Sequence, residues 1–129
     1  MLPAHVRDPD AAAFWITDWF VRLGGERVVP EGPVTVARER TGSVRELRVL
    51  AVVHFAAGRR LNVTVRLGAD LQPLRYTFDL MGPEGRLWGR HGHREKAGFH
   101  HRHDPPGFAP VTAASPATFL DIEALLHEK

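Results

Sequence analysis

The stretch RLNVTVRL at residues 60–67, followed by LRYTFDL at 74–80, decides the fold. Leu61, Val63, Val65 and Leu67 alternate with Arg60, Asn62, Thr64 and Arg66. Leu74, Tyr76, Phe78 and Leu80 alternate with Arg75, Thr77 and Asp79 in the same way. A period of two is the signature of a strand with one dry and one wet face. The Gly-containing link at residues 68–70 is too short for a parallel crossover, so the two strands pair antiparallel.

The same pattern extends in both directions. Upstream, Glu46 to Phe55 reads as a longer strand, with Leu47, Val49, Ala51, Val53 and Phe55 on one side, and Val34 to Glu39 as another. Downstream, the turn at 82–85 leads into a short strand at 86–90. Asp8, Pro9 and Asp10 read as a helix start, with Asp8 as cap and Pro9 at the first helical position. Ala12, Trp15, Ile16, Trp19, Phe20 and Leu23 make one helical face, and Gly24 and Gly25 end it. Residues 94–114 have no clear period and read as an irregular loop. Ser115 and Pro116 then open a second helix with Phe119, Ile122, Leu125 and Leu126 on its apolar side. The expected fold is α+β: an antiparallel meander of four to five strands, with an N-terminal and a C-terminal helix packed on one face. At 129 residues it is expected to be one domain spanning 1–129. The far face of the sheet would carry Arg48, Asn62, Thr64, Arg66, Arg75, Thr77 and Asp79, either solvated or lining a groove.

Composition excludes several classes of function. There is no cysteine, which removes disulfides, thiolate metal sites and cysteine nucleophiles. No apolar run is long enough to span a bilayer and no secretory leader pattern is visible, so the expectation is a cytoplasmic protein with no membrane partner. No phosphate-binding loop, nucleophile elbow or dinucleotide fingerprint is present, and no cofactor is expected.

The most unusual feature is RHGHREKAGFHHRHD at residues 90–104, which holds five of the eight histidines. Five cations, Arg86, Arg90, Arg94, Lys96 and Arg102, cluster here against Glu95, in a chain whose net charge is only +2. Such a segment suits an anion site, though a solvated basic loop would look the same. If the chain is extended there, His101 and His103 point to one side, as do His91 and His93. Converging imidazoles could ligate zinc, nickel or copper, although the surrounding cations oppose a dication. They could also cleave RNA without metal, because the 2′-hydroxyl needs a base, the leaving oxygen an acid, and the phosphorane cationic donors.

From Leu74 onward the chain resembles the TumE-like toxins of bacterial toxin–antitoxin modules. The residues that carry the resemblance are Tyr76 to Phe78, Gly85 to Leu87, Arg90, His93, and FHHRH at 99–103, followed by a Pro-containing loop and a short helix. The resemblance implies a toxin that cleaves RNA, in association with ribosomes, and is neutralised by a cognate antitoxin. His101 and His103 match the family's His-x-His, and Arg90 its strand-end arginine. The family's Asp-Asn pair after that arginine is His91 and Gly92 here, which opens a role for His91 or His93. On this reading His101, His103, His93 and Arg90 form the catalytic group. Arg102 and Lys96 hold phosphate beside Arg90, and Arg75 and Arg66 extend the RNA track. The alternatives are a non-enzymatic protein- or anion-binding module and a His-ligated metal-binding protein.

Overall fold

The computed structural model describes residues 1–94, 98–105 and 112–128. Helix α1 spans Pro9–Arg22, and the Asp8 carboxylate accepts the Ala11 N–H at 3.0 Å. Among the described residues eight strands follow: β1 Arg27–Val29, β2 Val34–Arg38, β3 Val44–His54, β4 Arg60–Gly68, β5 Pro73–Gly82, β6 Gly85–Gly92, β7 His100–His103 and β8 Thr112–Ala113. Helix α2, Phe119–His127, comes last.

From β3 to β8 each strand pairs antiparallel with the next, which is the expected meander. β1 and β2 share the outer edge of β3, so eight strands occupy seven positions across one sheet. The expectation of four to five strands was too low. The additional strands are β1, β7 and β8, of two to four residues each, too short for periodicity to register. Two of them, β7 and β8, lie in the stretch expected to be an irregular loop.

The second helix also starts later than expected. Thr118 is its cap, not Ser115. The Thr118 hydroxyl accepts the Asp121 N–H at 3.1 Å, and the Asp121 carboxylate accepts the Thr118 N–H at 3.0 Å. This reciprocal pair satisfies two donors at once, which Ser115 and Pro116 cannot do. Upstream of it, the Ala117 N–H is committed to the Tyr76 hydroxyl at 3.2 Å.

Both helices cover one face. Trp19 of α1 and Phe119 of α2 each meet the Phe78 ring of β5 edge-on, and the Trp19 indole N–H donates to the Phe119 carbonyl at 2.9 Å. The alternating residues Leu47, Val49, Val53, Leu61, Val63, Val65 and Leu67 complete the core beneath them. Phe78→Ala would cost about 3–5 kcal/mol on this packing. Among the described residues no helix covers the opposite face of the sheet, and the site is built there.

Candidate active site on the open face of the sheet

Residues that alternate in a strand face opposite ways, and that parity sorts the histidine segment. His91 lies directly across from His101, and Gly89 from His103. The ladder continues one step past β6, where the His93 N–H donates to the Phe99 carbonyl at 3.0 Å. His91, His93, His101 and His103 therefore share the open face. Ring centroids lie 4.5 Å apart for His93–His101 and His91–His103, 5.3 Å for His91–His101, 5.4 Å for His101–His103 and 5.5 Å for His91–His93.

Two glycines make this cluster possible. On the helix face, the Tyr76 ring fills the place where a Gly92 side chain would stand, so only glycine fits between His91 and His93. On the open face, a Cβ on Gly89 would fall 2.5 Å from an Asp79 carboxylate oxygen. Its absence leaves room for Asp79 to reach His91, with Nε2 and Oδ1 2.8 Å apart. Arg86 approaches the same oxygen at 3.2 Å. Asp79 is thus the carboxylate behind the cluster, and it comes from β5.

His101 is the deepest of the four, 1% exposed. Its Nδ1–H donates to the carbonyls of Phe99 at 3.2 Å and Gly98 at 3.3 Å. Its Nε2 is buried and has no hydrogen-bond partner. Burial pushes the His101 pKa below its ordinary value, against the pull of the two carbonyls, and charge on His93 and His91 would push it lower still. Burial thus favours the neutral form of His101, whose buried Nε2 carries no hydrogen bond. His91 is 7% exposed, whereas His93 and His103 are half-buried at the rim.

The remaining expected site residues divide between the two faces. His100, Arg102 and Asp104 alternate with the clustered histidines and face the helices. The Tyr76 hydroxyl donates to His100 Nδ1 at 2.7 Å, and burial lowers the His100 pKa. Arg90 lies on that side as well, cross-strand from Phe78 and Arg102. Asp104 pairs with Arg90 at 2.7 Å and with Arg102 at 3.3 Å, beside a groove along α2. The structure does not bring Arg90 or Arg102 to the imidazoles. It does place Arg66 and Arg75 on the open face, cross-strand from each other. Arg66 is held by a two-pronged pair to Glu46, at 2.7 and 3.3 Å, while Arg75 is exposed. Arg48 also binds Glu46, at 2.8 Å. The two guanidiniums hold the Glu46 pKa down at about 2. Lys96 lies outside the described residues.

Asp79 had been expected on the open face, but not as a partner of the histidines. Its parity in LRYTFDL puts it on the open face, but only the pairing of β5 with β6 shows that it meets His91.

Comparison with known families matches this α+β chain to a family of toxins: the match runs over residues 26–128, from the edge strand to the end of α2. The chain belongs to the family described as Toxin TumE. The likeness first visible from Leu74 onward thus extends upstream through β1 to β4. No curated protein and no solved structure matches the chain significantly. Among the described residues no helix is long and apolar enough to cross a membrane.

Proposed function

We propose that this toxin is an endoribonuclease that cuts RNA by histidine acid/base chemistry on the open face of the sheet. The observation that carries the reading is the convergence of four imidazoles on one face, with Asp79 behind His91. One imidazole takes the proton of a ribose 2′-hydroxyl, whose oxygen attacks the adjacent phosphorus. Another returns a proton to the departing 5′-oxygen. The products are a 2′,3′-cyclic phosphate and a 5′-hydroxyl, and neither transfer calls on a cofactor. Each is worth about 10²–10⁴-fold in rate.

The rim residues His93 and His103 suit these transfers, because a ribose can approach them. His101 packs beneath both as a positioning residue, and Asp79 holds His91 beside them. Arg75, with the outer edges of Arg66 and Arg48, offers a cationic row along the same face, and Lys96 belongs to the adjoining segment. Arg90 and Arg102 are assigned a structural role, bracing Asp104 on the helix side. The toxin would act in the cytoplasm, on ribosome-associated RNA. A cognate antitoxin that covers the cluster and the arginine row would silence it.

The test is RNA cleavage in a translating extract, with and without chelator. Wild type is expected to leave 2′,3′-cyclic ends in the presence of chelator, and His93→Ala/His103→Ala to leave none. Equal cleavage by the folded double variant would refute the proposal. So would its retention of activity together with loss in Arg90→Ala.

A further inference from the structure

We propose that His91, His93 and His101 form a binding site for one transition-metal dication, with Zn²⁺ the best match to the ligand set. Among the described residues, these three each place one ligand nitrogen within 4.8 Å of the others. A tetrahedral zinc site with Zn–N bonds of about 2.0–2.1 Å sets its nitrogens roughly 3.3–3.4 Å apart. Closure of somewhat over 1 Å would complete it, and the rings already stand on adjacent paired strands.

The surroundings of the rings are more telling than their proximity. A metal-bound imidazole ordinarily gives its second nitrogen to a carboxylate or a backbone carbonyl, which fixes the tautomer and aims the ring. All three rings have such a partner here. His93 Nδ1 bonds the Arg94 carbonyl at 3.1 Å, and His101 Nδ1 the Phe99 carbonyl at 3.2 Å. His91 Nε2 bonds the Asp79 carboxylate at 2.8 Å. That bond engages one nitrogen of each ring, and a metal would take the other.

His101 adds an independent observation. Its Nε2 is buried in a residue 1% exposed and meets no donor, whereas buried polar atoms are as a rule satisfied. With Nδ1 already donating, only a donor or a cation can satisfy that lone pair. The electrostatic objection raised by the sequence is reduced for two of the five cations. Arg90 and Arg102 face the helices and are paired with Asp104, while Asp79 stands directly behind the cluster. Imidazole donors select zinc, copper or nickel over magnesium or calcium.

The binding itself does not depend on the ribonuclease reading, but its consequence does. Bound zinc would take the His93 lone pair that proton transfer uses, so the loaded protein would be silent.

The experiment uses untagged full-length protein stripped with a chelator and titrated with Zn²⁺ against a chromophoric chelator. One equivalent is expected to bind. Asp79→Asn should weaken it about 10–100-fold. His93→Ala, on a rim ring outside the core, should weaken it further, and His127→Ala should leave it unchanged. Co²⁺ should give intense visible bands that vanish in His93→Ala. Absence of a bound equivalent, or equal affinity in His93→Ala and His127→Ala, would overturn the site. A protein that binds zinc yet cuts no RNA when metal-free upholds this inference and refutes the ribonuclease. One that cuts RNA in chelator and binds no zinc does the reverse.

Discussion

Asp79 links the fold to the site, and truncating it separates two contributions. Its Oδ1 lies 2.8 Å from His91 Nε2 and 3.2 Å from Arg86 Nε. The His91 side chain is 9% exposed, so its bond to a carboxylate is shielded, whereas the Arg86 side chain is 31% exposed and its contact is longer. A hydrogen bond to a charged group contributes about 1.5–3 kcal/mol, and a solvent-screened ion pair roughly 0–1 kcal/mol. Asp79→Ala removes both and leaves a buried His91 N–H without an acceptor, so it should cost about 2–3 kcal/mol. Asp79→Asn keeps an amide oxygen in the same place and loses only the charge, so it should cost about 1 kcal/mol. Urea unfolding with unchanged m-values measures the pair. Imidazole ¹⁵N spectra should show the His91 proton on Nε2 in wild type and a mixture of tautomers in the Ala variant. If Asp79→Ala cost less than about 0.5 kcal/mol, or the same as Asp79→Asn, the carboxylate would not be holding His91.

Tyr76→Phe should cost about 2 kcal/mol in urea unfolding, because one hydroxyl serves both His100 Nδ1 and the Ala117 N–H, and both would be left unpaired; a loss within error would mean that water replaces it. Gly92→Ala should cost at least about 1–3 kcal/mol, since its methyl must displace the Tyr76 ring from the core, and a wild-type midpoint would refute that packing. Glu46→Gln should cost about 1 kcal/mol at neutral pH, discounted because its partners Arg48 and Arg66 are half exposed. The Glu46 pKa is lower in the folded chain, at about 2 against 4.5, so its contribution is complete above pH 4.5 and fades as pH falls toward 2. The stability gap between wild type and Glu46→Gln should close across that window, and a gap constant with pH would refute the assignment.

Much of the architecture was legible in the chain because it is set locally. Alternation in RLNVTVRL and LRYTFDL is imposed by the pleat of a single strand, and the Asp8 cap by the orphan donors of a single helix turn. The short links then left antiparallel pairing as the workable arrangement. The second helix was misplaced by three residues because two capping signals lie close together. The choice between Ser115 and Thr118 rested on Asp121 reaching back and on Tyr76 holding Ala117. The strand at His100–His103 was concealed by its composition: four polar residues show no hydrophobic period, however regular their backbone.

The site was half visible in the same sense. The histidines identified themselves by number, and their spacing by twos put each pair on one side. That spacing also separates Arg90 from His91 and Arg102 from His101 and His103, once the segment is extended. What the chain alone could not supply is register. Whether His91 faces His101, and whether Asp79 faces Gly89 so that its carboxylate finds an imidazole, depends on pairing between distant segments. Side-chain parity is a property of one strand's backbone and can be read along the chain. Register is set by the turns and by which apolar residues share a core, so only the tertiary structure decides which groups meet.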